Sequence, residues 1–240
     1  MTQEQISKLR STIRGGTEQF PPVPQSEGPL HWDVIWRDLL DLPVISELLE
    51  CLIGNPNLLK ARKEKYEVPL PTFRLDHINV HTHVQKGFEG GRLHGGWNGT
   101  AGLYRYDNGV MYNGLTTVSF ELFDTKPNNG GFACIPGSHK ANVQLPEKWR
   151  DLSTGVNECI ERVAAKPGDA IIFTEALTHG TLPWDVDEKR TTVFYKFSPH
   201  ALTWSADFFN PDDFVGYEDM DRRKLALLEK PNARYPQRPR

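Results

Sequence analysis

The chain has 240 residues, with 28 basic and 31 acidic side chains and a formal net charge of −3. This length accommodates one domain with a full hydrophobic core. Because the charges are mixed, the composition argues against a nucleic-acid-binding protein and a membrane-surface protein, and it favours a small molecule as the partner. No apolar run approaches the roughly 20 residues that span a bilayer, and the N-terminus is polar, so we expect a cytoplasmic protein.

The N-terminal part is predicted to be an arm followed by helices. Residues 1–30 begin with a short helical segment, which glycines and prolines then interrupt. Over residues 32–53 the apolar side chains follow helical spacing, and Pro43 divides the run into two helices that are expected to pack on a sheet. The basic segment Lys60–Lys65 is interpreted as a solvated helix face.

The chain contains three cysteines, Cys51, Cys134 and Cys159. Their odd number and wide spacing suit neither a disulfide framework nor a metal cluster, and they indicate a reducing compartment. We therefore expect all three to be free and to be buried as small hydrophobic side chains.

The segment Arg74–Val84 is predicted to form a strand with two unlike faces, because successive side chains of a strand point to opposite sides. One face carries the apolar or β-branched residues Ile78, Val80, Thr82 and Val84. The other carries the polar residues His77, Asn79, His81 and His83. The polar face is expected to line a site.

Glycine and proline turns separate several further strand candidates. These are Thr116–Phe123, Gly131–Ile135, Ala170–Phe173 and Thr191–Phe197. A charged helix is predicted at about Tyr217–Glu229. Many short strands after a helical region predict a mainly β fold with flanking helices, which is an antiparallel barrel or jelly roll that can hold a metal in its mouth.

We expect this fold to be one domain over residues 1–240. The N-terminal arm and helices would occupy residues 1–70, the β-strand core residues 71–200, and the C-terminal tail residues 201–240.

A candidate iron site is suggested by two histidines. An oxygen-activating mononuclear iron usually takes two imidazoles and one carboxylate, in the sequence form His-x-Asp or His-x-Glu followed by a distant His. Here His94 is followed two positions later by Gly96, which offers no ligand atom, and His179 is the distant candidate. An empty ligand position of this kind can be filled by a small anion such as chloride.

Three features together resemble the phytanoyl-CoA dioxygenase family of iron(II)/2-oxoglutarate oxygenases over roughly residues 70–200. They are the segment Asn129–Lys140 with its Pro-Gly-Ser-His turn, the Pro-Gly-Asp turn and strand at Pro167–Phe173, and His179 with Arg190 eleven residues later.

The resemblance implies a double-stranded β-helix that holds one Fe(II) through His94 and His179. It also implies that Arg190 clamps the far carboxylate of 2-oxoglutarate, to which the guanidinium fork is suited, and that Thr181 bonds the same co-substrate. His81 is expected to contact the co-substrate or a ligand.

The glycine at position 96 resembles the halogenase subtype of this family, in which chloride occupies the vacated iron position. The resemblance then implies that O2 and 2-oxoglutarate generate an oxidant, that the oxidant abstracts an aliphatic hydrogen, and that the substrate radical takes chlorine. Some halogenases of this kind act on nucleotides in nucleoside antibiotic biosynthesis, so a nucleotide such as 2′-deoxyadenosine monophosphate is one expected substrate.

Other interpretations stay open at this point. The carboxylate could come from Glu89, Glu121 or Asp124, or be replaced by water, which would make the protein a hydroxylase. A cupin-type metal enzyme could use His81, His83, Glu89 and His139, although His139 is expected to be structural. A non-catalytic binding protein with the same barrel is a third class. Trp97 and Trp184 flank the two histidine motifs and would either wall the pocket or pack in the core.

Overall fold

The computed structural model describes residues 1–13, 24–65, 67–83, 86–87, 91–95, 102–141, 143–152 and 155–232. The β-strands within these residues are β1 (Phe73–His83), β2 (Gly91–His94), β3 (Tyr104–Asp107), β4 (Val110–Asn113), β5 (Thr116–Glu121), β6 (Gly131–Cys134), β7 (Glu161–Arg162), β8 (Ala170–Thr174), β9 (His179–Leu182) and β10 (Arg190–Pro199). The α-helices are α1 (Gln3–Thr12), α2 (Val34–Asp38), α3 (Pro43–Leu52), α4 (Pro56–Lys65), α5 (Glu147–Arg150) and α6 (Arg222–Leu227). Among the described residues, none of the helices has the length and apolar character that crossing a membrane requires.

Two four-stranded antiparallel sheets form the centre of the fold. The first has the strand order β1-β10-β5-β8 and the second β2-β9-β6-β7, whereas β3 and β4 form a separate hairpin. The sheets face each other, because the ring centroids of Phe132 in β6 and Phe173 in β8 are 4.6 Å apart. The prediction of a mainly β jelly roll with flanking helices is confirmed.

The two faces of the first sheet differ as the alternation in β1 predicts. Its outer face packs with the helices in the main core, to which it contributes Ile78, Val118, Phe120, Val193, Tyr195 and Phe197. Its inner face is polar, and His81 of β1 pairs with Thr192 of β10, which also pairs with Glu121 of β5. The polar face of β1 is therefore part of a wider polar surface inside the fold.

The helices cover the apolar outer face of the first sheet. Pro43 begins α3, and at this position its missing N–H removes no hydrogen bond of the helix. The prediction of two helices divided at Pro43 is confirmed. At the N-terminus, Ile6 and Leu9 of α1 are buried. The C-terminal helix α6 is shorter than predicted, because Asp221 caps its first turn by accepting a hydrogen bond from the backbone of Lys224.

The prediction that all three cysteines are buried is wrong for two of them. All three are free, but only Cys134 is buried, whereas Cys51 and Cys159 are exposed. Cys51 lies two residues after Leu49, which α3 buries, and two positions correspond to a rotation of about 200° around a helix. The side chain of Cys51 therefore points away from the core.

A buried carboxylate fastens the C-terminal segment to β1. The side chain of Asp76 accepts hydrogen bonds from Arg74, from His77, from the hydroxyl of Thr203 and from the backbone N–H groups of Trp204 and Ser205. Burial opposes ionisation of Asp76, but the bonds from His77 and from the two backbone groups outweigh it and lower its pKa to about 2. Asp76 is therefore ionised in the folded protein across the neutral range.

Replacing Asp76 is expected to destabilise the fold strongly. Asp76→Asn leaves the buried Arg74 guanidinium without its charge partner, which costs about 3–5 kcal/mol of unfolding free energy in urea titrations. Because the folded-state pKa lies below that of an unfolded Asp, the wild-type protein loses this contribution as the pH falls from about 4 towards 2, and the variant does not. Asp124→Asn, at an exposed position, is the matched control. Equal stability of the two variants would contradict the assignment.

Candidate metal centre

The two histidines singled out in the sequence meet across a pair of antiparallel strands. His94 ends β2, His179 begins β9, and they are direct partners in the register of these strands. Direct partners carry their side chains on the same face of a sheet, and the two ring centroids are 4.3 Å apart. The fold therefore brings both imidazoles to one place.

A backbone carbonyl orients each imidazole. The Nδ1 of His94 donates to the carbonyl of Arg92 at 3.0 Å, and the Nδ1 of His179 donates to that of Leu177 at 2.7 Å. Because a carbonyl only accepts, the proton of each neutral ring sits on Nδ1 and the lone pair sits on Nε2. Metal-ligating histidines use this arrangement, in which the outer hydrogen bond fixes the tautomer and the ring direction.

The electrostatics of His179 favour its neutral form. Burial lowers the pKa of His179 to about 4, Glu175 acts in the opposite direction, and His94 lowers the pKa further. Near neutral pH the ring is therefore unprotonated, which is the state that binds a metal.

The Pro-Gly-Ser-His turn holds the segment that precedes His179. The backbone N–H of Thr178 donates to the Oγ of Ser138 at 2.7 Å, and the N–H of Ile135 donates to the carbonyl of Thr178 at 2.9 Å. His139 of the same turn contacts the ring of Tyr104 edge-on at 4.8 Å instead of joining the two histidines. This placement agrees with a structural role for His139.

The glycine after His94 permits close packing at the site. Gly95 has a φ of +98°, and a Cβ there would lie 2.2 Å from the carbonyl oxygen of Leu177 and 2.9 Å from that of Glu175. Only glycine fits this approach and this backbone conformation. The end of β2 therefore lies directly against the turn between β8 and β9.

That turn supplies a carboxylate that the sequence analysis missed. The Oε2 of Glu175 lies 3.7 Å from the Nε2 of His179, and one ligand atom from each of His94, Glu175 and His179 lies within 4.8 Å of the others. The Oε1 of Glu175 accepts from the hydroxyl of Thr117 at 2.7 Å and from the Nζ of Lys196 at 2.8 Å. Burial opposes its ionisation, but Lys196 and His179 lower its pKa to about 2.

The arginine eleven residues after His179 is also buried inside the barrel, where it meets a carboxylate. The Nη2 of Arg190 donates to both carboxylate oxygens of Glu121 at 3.1 Å, and Ser119 and Thr192 also donate to Glu121. The Nε of Arg190 is buried and donates to none of the described residues. A Cβ at Gly131 would lie 3.4 Å from that Nε.

A family comparison matches residues 23–191, more than two thirds of the chain, to phytanoyl-CoA dioxygenase. The chain belongs to the phytanoyl-CoA dioxygenase family. The curated proteins contain no match to it.

Solved structures show the same fold. HygX from Streptomyces hygroscopicus with nickel and 2-oxoglutarate bound is 19% identical, with a TM-score of 0.66 over 85% of this chain and 82% of HygX. AviO1 from Streptomyces viridochromogenes Tue57 is 17% identical, with a TM-score of 0.50 over 82% of this chain and 86% of AviO1. Further HygX structures contain iron, or nickel with 2-oxoglutarate and hygromycin B.

The structure describes Glu121 and Asp124, which are two of the three carboxylates that the sequence offered as alternative metal ligands. Glu121 is engaged by Arg190 on the first sheet, whereas the paired histidines belong to β2 and β9 of the second sheet, and Asp124 is exposed. Neither joins the cluster of His94, Glu175 and His179, which is the metal-compatible group within the described residues. Glu89, Gly96 and Trp97 lie outside the described residues.

The histidines of β1 lie on the polar inner face. His83 pairs with Arg190, and His81 pairs with Thr192. Burial, followed by Lys196 and Arg190, lowers the pKa of His81 to about 4, and burial with Arg190 lowers that of His83 to about 3. Neither joins a metal-compatible cluster in the part of the chain that the structure describes, so the cupin hypothesis, which needs them as ligands together with His139, loses its support.

Thr181 and Trp184, which the sequence analysis also named, lie in β9 and just after it. Thr181 lies two residues after His179 in β9 and pairs with Phe132 of β6. Trp184 is buried beside His83, with ring centroids 6.2 Å apart, and its indole N–H donates to the carbonyl of Glu188 at 2.8 Å. Trp184 therefore packs inside the family fold next to the polar face.

An open cavity of about 940 Å³ has His94 in its wall. The cavity lies along the segment after β6 and along α5, and its lining includes Ile135, Leu145, Trp149 and Arg150. A small molecule in this cavity would lie beside the paired histidines.

Proposed function

We propose that this chain is an Fe(II)- and 2-oxoglutarate-dependent oxygenase that oxidises an aliphatic C–H bond of a small molecule. The observation that carries the proposal is the cross-strand pair His94 and His179, in which both rings keep the Nε2 lone pair. Membership of the phytanoyl-CoA dioxygenase family supports it, and so do the HygX structures, in which that protein holds iron, or nickel with 2-oxoglutarate.

The residues present fit an iron ion. Imidazole nitrogens are suitable ligands for Fe(II), and two of them with open positions beside them leave room for a co-substrate and O2. His94 and His179 would hold the ion through Nε2, while the carbonyls of Arg92 and Leu177 keep the rings turned towards it. The bound ion, with 2-oxoglutarate and O2, supplies the oxidising chemistry that breaks the C–H bond.

Arg190 would hold the far carboxylate of 2-oxoglutarate. Glu121 engages only Nη2 of the guanidinium, which carries five N–H donors, and the buried Nε donates to none of the described residues. The backbone of Gly131 lies close to that edge of the guanidinium, where a Cβ would be 3.4 Å from Nε, so only a residue without a side chain leaves space there. We also assign Thr181 and His81 to the co-substrate, since they lie near the histidine pair and on the inner face beside Arg190 respectively.

The cavity beside His94 supports a small-molecule substrate. Trp149 contributes an aromatic side chain to its wall, and Arg150 contributes a guanidinium whose Nε lies 3.5 Å from the carboxylate of Glu147. A substrate with a flat ring and an anionic group, such as a nucleotide, matches this pair. We therefore choose 2′-deoxyadenosine monophosphate as the first compound to test.

The outcome at the carbon depends on the third ligand from the protein. The position of Glu175 favours hydroxylation, because a carboxylate already stands beside the two histidines. Hydroxylation is the function that we adopt. Chlorination is the second candidate, which the residue type at Gly96 favours, because a glycine can leave a position at the metal for chloride.

Turnover of 2-oxoglutarate tests the proposed function without a known substrate. Wild-type protein with Fe(II), 2-oxoglutarate and O2 is expected to release succinate slowly, and release should accelerate when 2′-deoxyadenosine monophosphate or another accepted substrate is added. The His179→Ala protein is the negative control. Release of succinate that does not depend on Fe(II), or that is equal in the His179→Ala protein, would refute the proposal.

Chloride separates the two outcomes. With an accepted substrate, wild-type protein is expected to give a hydroxylated product at every chloride concentration, as measured by mass spectrometry. A chlorinated product would instead establish the halogenase. In that case Gly96→Asp is expected to abolish chlorination, because the new carboxylate would exclude the halide from the metal.

A further inference from the structure

The carboxylate of Glu175 faces the nitrogen of His179 that has no proton. Its Oε2 lies 3.7 Å from Nε2, whereas Nδ1 donates to the carbonyl of Leu177. A carboxylate that only oriented the ring would take the Nδ1 proton, so Glu175 stands on the opposite, ligand side. With the proton on Nδ1, two electron-pair acceptors face each other in a region where both side chains are about one-tenth exposed or less, and a cation between them would stabilise the arrangement.

The separations suit one metal ion. Nitrogen and oxygen ligands lie about 2.1 Å from a first-row metal, so two of them are at most about 4.2 Å apart. The 3.7 Å between Glu175 and His179 is within this limit. No separation in the cluster exceeds 4.8 Å, so a closing of at most about 0.6 Å is needed, which a small shift of the exposed His94 can supply.

The Oε1 atom of Glu175 accepts two hydrogen bonds, and these bonds fix the direction of the Oε2 atom. Thr117 and Lys196 are direct partners in the register of β5 and β10, and both donate to Oε1. Oε2 is thereby turned towards the histidines. A hydrogen-bonded carboxylate that offers one oxygen is the usual form of an oriented metal ligand.

The turn that carries Glu175 also lies against the end of β2. The backbone of Gly95 passes so close that a Cβ there would meet the carbonyl oxygens of Glu175 and Leu177. A carboxylate from this turn therefore reaches the neighbourhood of His94 and Gly95, and the sequence offers no carboxylate at position 96.

We propose that Glu175 is the third protein ligand of the metal and that Lys196 and Thr117 are its positioning residues. The carboxylate of the site thus comes from the turn before the distal histidine and not from the position two residues after the proximal one. This inference rests on the proposed function, because it needs a metal at His94 and His179.

Binding of Co(II) to the apoprotein tests the inference without turnover. Glu175→Gln keeps the size of the side chain and removes its charge, and it is expected to weaken Co(II) binding by more than about 100-fold in calorimetric titration. Lys196→Met, which removes only a positioning contact, is expected to weaken it by about 10- to 100-fold. Glu161→Gln, at an exposed carboxylate of β7, is the matched control and should bind Co(II) as wild type does.

Chloride provides the second readout. With Co(II) and saturating 2-oxoglutarate bound, the absorption spectrum of the wild-type protein is expected to change less on addition of chloride than that of Glu175→Ala, in which chloride takes the vacated position. Wild-type affinity in Glu175→Gln, or an equal response to chloride in the wild-type and Glu175→Ala proteins, would overturn the inference. If Glu175→Gln does not fold, Glu175→Ala takes its place, and wild-type Co(II) affinity in that variant would overturn the inference equally.

The same Co(II) titration distinguishes an error in the assignment of Glu175 from an error in the proposed metal centre. Loss of Co(II) binding in His179→Ala together with retention in Glu175→Gln would reject Glu175 alone and leave the proposed function standing. Retention of Co(II) binding in His179→Ala would reject the metal centre itself.

Discussion

His179→Ala is expected to abolish tight binding of Fe(II) and Co(II) while leaving a folded protein. In the proposed metal site the imidazole of His179 is one of two nitrogen ligands, and its loss should cost more than the 10- to 100-fold that the loss of an outer hydrogen-bonding partner costs. The same result is expected for His94→Ala. Anaerobic calorimetric titration of the apoprotein with Fe(II), with circular dichroism as the test of folding, measures both properties.

His139→Ala is the matched control for this experiment. His139 lies in the turn before α5 and contacts the ring of Tyr104, outside the cluster of His94, Glu175 and His179. We expect it to keep its affinity for Fe(II) and to lose only stability. A His139→Ala protein that lost the metal, together with a His179→Ala protein that kept it, would reverse the assignment of ligands.

Arg190→Lys is expected to weaken 2-oxoglutarate binding by about 10- to 150-fold, which corresponds to the roughly 1.5–3 kcal/mol of one charge-assisted contact. Lysine keeps the positive charge next to Glu121 but replaces the planar fork by a point charge, so the fold should be less affected than the affinity. Calorimetric titration of the Co(II)-loaded protein with 2-oxoglutarate measures the effect.

Arg105→Lys, an exposed arginine on the β3–β4 hairpin, is the control for the loss of a guanidinium. It is expected to bind 2-oxoglutarate as wild type does. If Arg190→Lys also bound with unchanged affinity, Arg190 would serve only as the partner of Glu121, and the co-substrate would have to be held elsewhere.

The alternation of polar and apolar residues, together with turns at glycine and proline, was sufficient to predict much of the fold. The polar and apolar faces of β1 follow from residues 77–83, and the start of α3 follows from Pro43, because both depend on local side-chain chemistry. The short strands β2, β3, β4, β7 and β9 do not follow from the sequence patterns. They have two to four residues each, and their pairing with another segment, not their own pattern, makes them strands.

The candidate site could be predicted only in part. Residue type and spacing singled out His94, His179 and Arg190, and the structure brings the two histidines together. Glu175 could not be predicted from the His-x-Asp or His-x-Glu form, because that form places the carboxylate two residues after the proximal histidine. In the sequence, Glu175 is a single acidic residue between a strand and the distal histidine. Its proximity to the histidines depends on the contact between that turn and Gly95, which the local sequence does not predict.

The role of Glu121 also required the structure. From the sequence it was one of three interchangeable acidic candidates for the metal. In the fold it faces inward from β5 at the level of Thr192 and meets Arg190 instead of the histidines. Which of several acidic residues reaches a given partner depends on strand register, and a shift by one residue would have turned Glu121 to the apolar outer face.

An anaerobic crystal structure with Fe(II), 2-oxoglutarate and chloride tests the central claim most directly. Anomalous scattering from iron would locate the metal. The account predicts one iron bonded to the Nε2 atoms of His94 and His179 and to Glu175, with the far carboxylate of 2-oxoglutarate on Arg190. Iron located away from His179, or 2-oxoglutarate bound without Arg190, would contradict it.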